Sequence, residues 1–236
     1  MFVPEAIILA GGGKNYTASD GTTPLCMTPV CNKPFLAWLL EFMEHYIIEH
    51  AVIAVGKEEY NLIHGYFGEN YKSIKISYSV EETPLGTGGA IQRAFELIEG
   101  DKAFVFKGHT MLRLSLVKHF DFHMAYRADF SMVIRETGNL ARQVAVERDE
   151  DKRITTIYPK GTKSGKGYMD GGAYLISRRF FTKYSFPEKF SLERDILHAL
   201  AGKGAVYGVL CKQFFVDISD PEDRQRAEDE FERFNH

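Results

Sequence analysis

The segment EAIILAGGG, residues 5–13, decides the fold of this chain. Residues 6–10 are all apolar, without the polar–apolar alternation of a half-exposed strand, which predicts a strand buried on both faces in a parallel sheet. Three glycines follow at once, and glycine permits tight turns and the close approach of backbone N–H groups to a ligand. A buried strand ending in a glycine loop is typical of nucleotide sites in open α/β sheets. The triplet alone leaves an ordinary glycine turn open.

The composition of the 236-residue chain is that of a globular protein, with 44% hydrophobic and 26% charged residues. This length favours one large domain over two small ones. The net charge of −3 predicts no nucleic-acid partner, and no apolar run approaches the roughly 18 residues that span a membrane. The N-terminus lacks a basic region and the three cysteines form no CxxC motif, so we expect a cytoplasmic protein with reduced thiols.

Strands and helices alternate through the first 135 residues. Apolar or alternating runs predict the strands, whereas cap residues, prolines and glycines predict the helix ends. The predicted strands are 6–10, 51–55, 74–80, 103–106 and 130–135, and the predicted helices are 34–48 with Asn32 as N-cap, 58–67, 88–98 with Thr87 as N-cap, and 116–126 with Ser115 as N-cap. This alternation predicts an α/β fold, Rossmann-like, with a mixed, mostly parallel sheet flanked by helices.

The pattern changes near residue 140. Residues 143–147 and 153–158 predict a small β-hairpin, and the remaining predicted elements are strands at 168–176, 205–210 and 214–218 and helices after Ser191 and from Pro221. No repeat or Pro/Gly/Ser-rich linker interrupts the chain, so we keep residues 1–236 as one domain.

Six motifs, in their order along the chain, resemble those of the sugar-1-phosphate nucleotidyltransferases, and among these the mannose-1-phosphate and D-glycero-D-manno-heptose-1-phosphate guanylyltransferases. They are LAGG at 9–12, PLCMTPV at 24–30, KPFL at 33–36, PLGTGGA at 84–90, GGAYLIS at 171–177 and FVDISDPED at 215–223. The resemblance implies a nucleotide-binding half, residues 1–135, and a sugar-side half, residues 136–236, which contains the hairpin. It also implies GTP or a GDP-sugar as ligand, and it leaves a homodimer open.

The resemblance implies three groups of site residues. The nucleotide would meet two loops, formed by Leu9, Ala10, Gly11, Gly12, Gly13 and Lys14 and by Leu85, Gly86, Thr87 and Gly88. The sugar phosphate would meet Lys160, Asp170 and Gly171. The two metal positions, where the family holds Mg²⁺, are Asp217 and His109.

Several charged or polar groups of the family are replaced in this sequence. Tyr16 stands where the family has a phosphate-clamping arginine, Leu25 where it has a catalytic lysine, and His109 where it has a metal-binding aspartate. Lys107 and Asp170 each stand where the family has asparagine. Because phosphoryl transfer depends on positioning and charge neutralisation, these changes leave the catalytic residues unassigned. We therefore predict a catalytically degenerate member that binds a nucleotide or GDP-sugar and to which Mg²⁺ contributes little.

Two other functions stay open at this point. A working guanylyltransferase that makes GDP-mannose or GDP-heptose would carry the same motifs, provided that other groups had taken over the catalytic roles. A glycosyltransferase usually carries an Asp-x-Asp metal motif at a strand end, whereas residues 107–109 read Lys-Gly-His. Neutral histidine suits Zn²⁺ or Mn²⁺ better than Mg²⁺, so His109 and Asp217 form either a site for a softer metal or no metal site.

Overall fold

The structure is a computed structural model that describes residues 4–12, 21–46 and 48–233. The predictions on Gly13, Lys14 and Tyr16 lie outside these residues. The strands are β1 (Glu5–Leu9), β2 (Pro29–Val30), β3 (Lys33–Pro34), β4 (His50–Gly56), β5 (Asn70–Tyr71), β6 (Ile74–Glu81), β7 (Lys102–Lys107), β8 (Thr110–Leu112), β9 (Phe130–Thr137), β10 (Ala145–Arg148), β11 (Ile154–Tyr158), β12 (Gly167–Ser177), β13 (Val206–Leu210) and β14 (Phe215–Asp217). The α-helices are α1 (Phe35–His45), α2 (Lys57–Phe67), α3 (Gly86–Ala94), α4 (Leu116–Ala125), α5 (Arg179–Lys183), α6 (His198–Leu200) and α7 (Pro221–Glu232). Short 3₁₀ turns cover Leu25–Met27 and Phe95–Leu97, and a π-helical segment covers Leu192–Leu197.

One mixed sheet of ten strands organises the fold, in the order β11-β10-β12-β7-β1-β4-β6-β5, with β9 between β12 and β13. The neighbours β7, β1, β4 and β6 are parallel, and β12 joins them antiparallel to β7. The predicted hairpin is present as the antiparallel pair β10 and β11. The predicted α/β class is confirmed, and strands from before and after residue 135 share this sheet.

The strand β1 is buried on both faces, as its unbroken apolar sequence predicts. Ala6 and Ile8 belong to one hydrophobic cluster, which includes side chains of α1, α2 and α7. Ile7 belongs to a second cluster, on the other face, with side chains of α3 and α5. Burying one isoleucine side chain contributes about 1.5–3 kcal/mol, so a polar residue at any of these positions would be costly.

Two predicted helix caps are wrong. Asn32 has a φ of 65° and lies in the turn between β2 and β3, while α1 begins three residues later at Phe35. Thr87 lies inside α3, which begins at Gly86, and its hydroxyl bonds to a distant segment described below. Ser115 and Ser191 are caps as predicted, since each side chain accepts an N–H three residues on. Among the described residues, no helix is long and apolar enough to cross a bilayer.

Two histidines of α4 are buried against the sheet and joined by serine hydroxyls. His119 Nε2 and His123 Nδ1 lie 2.9 and 2.8 Å from Ser131 Oγ on β9, and His123 Nε2 lies 3.0 Å from Ser177 Oγ on β12. Burial lowers the pKa of His119 to about 3 and that of His123 to about 4. Both rings are therefore neutral in the folded protein at neutral pH.

We expect the free energy of unfolding to fall as the pH drops below about 6.5, the ordinary histidine pKa. Below that pH the unfolded chain binds protons that the folded chain refuses until its own pKa values of about 3 and 4 are reached. Each histidine should contribute a slope of about 1.4 kcal/mol per pH unit in this window, and nothing above it. Urea denaturation at several pH values, with unmodified protein and the double variant His119→Gln/His123→Gln, measures the difference.

The control is His45→Gln, because His45 is exposed at the end of α1. This variant should keep the pH dependence of the unmodified chain, whereas the double variant should lose the slope of about 1.4 kcal/mol per pH unit that each of the two buried rings contributes. An unchanged slope in the double variant would contradict the assignment of that pH dependence to the two buried rings.

Candidate nucleotide-binding site

A cavity of about 480 Å³ opens where parallel strands of the sheet end. It is formed by the residues that end or follow β1, β4, β6 and β7, by the start of α3 and by one residue of the π-helical segment. The residues that line it are Leu9, Gly11, Gly12, Ala54, Gly56, Lys57, Glu58, Glu59, Glu81, Glu82, Pro84, Gly86, Thr87, Ala90, Lys107, His109 and Glu193. Carboxyl ends of parallel strands are the usual ligand-binding edge of such sheets.

Glycines let these strand ends approach each other closely. The N–H of Gly11 donates to Ala54 O at 3.1 Å, and a Cβ on Gly11 would lie 3.1 Å from the backbone nitrogen of Gly56. On the other edge of β1, the N–H of Gly108 donates to Leu9 O at 2.9 Å, and a Cβ there would lie 2.8 Å from that oxygen. The backbone around the end of β1 is thus fixed from both sides, without side chains between it and the cavity.

The glycines of α3 mainly make room for Phe190. The N–H groups of Gly88 and Gly89 donate to Phe190 O at 3.0 and 3.3 Å, and a Cβ on Gly88 would lie 2.0 Å from the Phe190 ring. Gly86 and Thr87 do line the cavity, but Gly88 packs under Phe190.

A buried ammonium group lies at the edge of the cavity. Lys107, the last residue of β7, places its Nζ 2.7 Å from Asp170 Oδ2 and 3.1 Å from Glu193 Oε1. Asp170 is held in turn by the Tyr174 hydroxyl, which donates to Oδ2 at 2.7 Å, and by the Gly172 N–H, which donates to Oδ1 at 3.0 Å. The Asp170 carboxylate is therefore fixed by two further hydrogen bonds.

Glu193 connects this ammonium to the other side of the cavity. Its Oε2 accepts a hydrogen bond of 2.9 Å from the Thr87 hydroxyl, which itself accepts the N–H of Leu192 at 2.8 Å. Glu193 lies in the π-helical segment, a rare conformation that is frequent at functional sites. One carboxylate thus joins α3 to the end of β7.

The charges of this network hold one another in place. Burial opposes the charge of Lys107, but attraction by Asp170 and Glu193 outweighs it and holds the lysine pKa well above its ordinary value. For Glu193, burial is likewise outweighed by Lys107, which lowers the pKa of the carboxyl. Burial, reinforced by the neighbouring Asp170, raises the pKa of Tyr174 well above its ordinary value, so its hydroxyl stays a donor. Lys107 is therefore a cation and Glu193 an anion at neutral pH.

The residues present do not fit the Mg²⁺ site that the resemblance implies. His109 Nε2 lies 4.0 Å from Asp217 Oδ1, and burial lowers the pKa of His109 to about 4 against the attraction of Asp217. Mg²⁺ prefers oxygen ligands, whereas this position offers a neutral ring nitrogen. Asp217 Oδ1 already accepts two hydrogen bonds from Ser219. Within the described part of the chain, no group of three or more His, Cys, Asp or Glu is arranged to hold a metal.

Carboxylates are frequent around the rest of the cavity. Glu81 at the end of β6 is half-buried, and its Oε2 accepts the N–H of Leu85 at 2.8 Å. Burial raises the pKa of this carboxyl. Lys57 and Glu82 form an exposed ion pair of 2.7 Å at the mouth. Acceptors for a ligand's N–H groups are thus available at the end of the cavity formed by β6 and α3.

The predicted site residues fall into three sets. Lining the cavity are Leu9, Gly11, Gly12, Gly86, Thr87 and His109. Buried beside it or packed into the protein are Ala10, Leu25, Leu85, Gly88, Asp170 and Gly171. Lys160 is exposed after β11, and Asp217 ends β14. Sequence reasoning missed Glu193 and Phe190, which local patterns do not distinguish, whereas the opposite charges at 107 and 170 were a signal that the two residues pair.

Comparison with known proteins gives consistent results. The sequence model of the nucleotidyl transferase family matches residues 5–224. The D-glycero-alpha-D-manno-heptose 1-phosphate guanylyltransferase of Aneurinibacillus thermoaerophilus is 33% identical over 231 residues, 98% of this chain and 99% of that protein. The mannose-1-phosphate guanylyltransferase of Mycobacterium tuberculosis is 28% identical over 94% of this chain and 63% of that protein. A crystal structure of HddC from Yersinia pseudotuberculosis complexed with GMP-PN is 28% identical, covers 97% of this chain and 99% of that chain, and has a TM-score of 0.83. The predicted resemblance is confirmed.

We expect Gly88→Ala to lower the free energy of unfolding by about 1–3 kcal/mol, the usual cost of overpacking. The added methyl group would overlap the Phe190 ring, which must move. Chemical denaturation measures the change, and the double variant Gly88→Ala/Phe190→Leu should lose less stability than the sum of the single variants. Additive losses would show that the two residues do not compete for the same space. Gly65→Ala, in α2 where a Cβ meets nothing within 4 Å, is the control.

Proposed function

Because this chain belongs to the nucleotidyl transferase family, we propose that it binds a guanine nucleotide or a GDP-sugar and has weak or no pyrophosphorylase activity. Enzymes with this fold bind a nucleoside triphosphate and a sugar phosphate and release pyrophosphate, as the resemblance implies. We thus expect this chain to bind the same class of ligand as those enzymes and to catalyse their reaction weakly or not at all.

The ion network of Lys107 is the observation that carries this proposal. Phosphoryl transfer requires charges that are free to stabilise the reacting phosphates, and one such group commonly contributes about 3 kcal/mol. Here the ammonium is paired with Asp170 and Glu193, which together carry more negative charge than it balances. His109 adds no charge because its pKa is about 4. The groups at this end of the cavity suit holding a ligand better than stabilising a transition state.

The carboxylates at the other end support guanine as the base. Guanine presents two neighbouring donors, the N1–H and the N2 amino group, and a carboxylate can accept from both. Adenine offers an acceptor in place of the N1–H and would be repelled. Glu81 lines the cavity and uses one oxygen for the N–H of Leu85, which fixes its orientation. The HddC structure with GMP-PN is a guanine-nucleotide complex of a protein with this fold.

We expect Glu81→Gln to weaken GDP binding about tenfold and not to weaken ADP binding, since a hydrogen bond to a charged group contributes about 1.5–3 kcal/mol and the repulsion of adenine is removed. The glutamine can still accept from Leu85, so the start of α3 should stay in place. Isothermal titration calorimetry with GDP, IDP and ADP measures the preference. Glu82→Gln is the control, because Glu82 pairs with Lys57 at the exposed mouth. Equal losses for GDP and ADP would contradict base recognition by Glu81.

We expect the unmodified chain to bind GDP-mannose or GTP but to release pyrophosphate far more slowly than the roughly 1–10 s⁻¹ of a typical enzyme. A coupled pyrophosphate assay with GTP and mannose- or heptose-1-phosphate, run beside calorimetry with the same ligands, separates binding from turnover. Ordinary turnover would favour the alternative, a guanylyltransferase with rearranged catalytic groups. If the chain shows no binding and no turnover, the proposal of a nucleotide ligand is wrong.

Restoring the family residues together should restore the reaction by several orders of magnitude, whereas single reversions should gain almost nothing, because such groups act as a unit. Lys107 and Asp170 are reverted as a pair, since reverting Lys107 alone would leave the buried Asp170 carboxylate without its cation. The combined set covers the five positions at which this sequence departs from the family: Tyr16→Arg, Leu25→Lys, Lys107→Asn, His109→Asp and Asp170→Asn. A combined variant that folds and binds GTP but stays inactive would contradict the idea that these positions account for the loss.

A further inference from the structure

The ammonium of Lys107 is surrounded in the way that proteins surround a bound cation. Two carboxylates from separate elements, Asp170 on β12 and Glu193 in the π-helical segment, meet its Nζ at 2.7 and 3.1 Å. The hydroxyls of Tyr174 and Thr87 fix those carboxylates from behind. Such a convergence of anionic oxygens would attract a cation even without the lysine.

The lysine also leaves bonding capacity for a ligand. An ammonium has three N–H donors, and two of them are directed at the carboxylates of Asp170 and Glu193. Lys107 lines the cavity together with Gly11, Gly12 and His109, at the end where a glycine loop follows β1. A phosphate oxygen in this part of the cavity would therefore meet both backbone and a fixed positive charge.

We propose that Lys107 is the resident cation of this cavity, in the place of a divalent metal, and that a nucleotide sugar binds there without metal. The ligand class rests on the proposed function, but the cation site does not. On this proposal the ligand needs no Mg²⁺ at His109 and Asp217, which fit that ion poorly, because an ammonium of the chain itself meets the phosphates.

The charge of the network favours a nucleotide sugar over a nucleoside triphosphate. One ammonium with two carboxylates leaves a net negative charge of one before any ligand arrives. A triphosphate adds more negative charge than the diphosphate of a nucleotide sugar, and without a divalent metal that charge is not balanced. Lys57 is the other lysine of the described cavity wall, and it is paired with Glu82. We therefore expect the cavity to select the less charged ligand.

Removing the lysine should create a metal site. In Lys107→Met, Asp170 and Glu193 would face each other without a cation, and hard divalent ions prefer such oxygen ligands. We expect this variant to bind one Mn²⁺, followed by the electron paramagnetic resonance signal of the free ion, at least tenfold more tightly than the unmodified chain. Asp170→Asn added to Lys107→Met should abolish the gain.

The matched control is Lys57→Met, which removes a lysine from the same cavity but leaves only the exposed Glu82. This control should gain no Mn²⁺ site. A tight Mn²⁺ site in the unmodified chain, or no gain in a folded Lys107→Met variant, would overturn the resident-cation proposal. Thermal unfolding establishes whether the Lys107→Met variant is folded. If it is not, the Mn²⁺ titration of the unmodified chain still tests the proposal, because a tight Mn²⁺ site there would overturn it.

The ligand side is tested on the unmodified protein by calorimetry with GDP-mannose and GTP, in EDTA and in Mg²⁺. We expect the dissociation constant of GDP-mannose to change less than twofold with Mg²⁺, and GTP in EDTA to bind at least tenfold more weakly. An enhancement of GDP-mannose binding by Mg²⁺ of tenfold or more would overturn metal-free binding. If neither ligand binds, the proposed function fails, whereas the Mn²⁺ titration still decides whether Lys107 occupies a cation site.

Discussion

The pairing of β1 with a parallel neighbour on each edge is the constraint on which the site depends. In this register Leu9 lies opposite Ala54 of β4 and opposite Lys107 of β7, so β1 and β7 end at one level and β4 continues two residues further, to Gly56. The residues that follow must then share a small space, in which a Cβ at Gly108 would lie 2.8 Å from Leu9 O and one at Gly11 would lie 3.1 Å from the backbone nitrogen of Gly56. The cavity results from this arrangement. The strand register alone places the backbone of Lys107 beside Leu9, at the edge of the cavity.

The three charged residues of the ion network stabilise one another, so the effect of each depends on the other two. A buried ammonium without partners costs several kcal/mol, and removing one partner of a buried ion pair typically costs about 3–5 kcal/mol. Lys107 therefore needs Asp170 and Glu193, and the two carboxylates need Lys107. Position by position, residues 107 and 170 looked like the loss of two asparagines. In the structure they form one interaction that the family pattern does not contain.

The fold was predictable from sequence where local chemistry decides it. An apolar run gave β1, glycine at 68 ended α2 with a φ of 60°, and Ser115 capped α4. The prediction was wrong where distant contacts decide, since the hydroxyl of Thr87 bonds to Glu193 and Leu192 instead of capping α3. Asn32 likewise serves a β-turn that no local pattern separates from a cap.

The site was less predictable than the fold for the same reason. Its glycines could be located, because a glycine loop after a buried strand has a recognisable sequence. Whether a given glycine faces a ligand or another part of the chain depends on the packing partner, which for Gly88 is Phe190, about a hundred residues away. Glu193 carries no local signal, although it is the residue through which the two ends of the cavity are connected.

This connection through Glu193 relates the start of α3 to the ion network of Lys107. Glu193 holds Thr87 at the start of α3 with one oxygen and Lys107 at the end of β7 with the other. The position of the start of α3 and the ion network at the end of β7 therefore depend on the same side chain. A change at residue 107 alone would strand this carboxylate and loosen its contact with α3. Lys107 and Glu193 together therefore hold β7 and α3 in the positions that form the cavity.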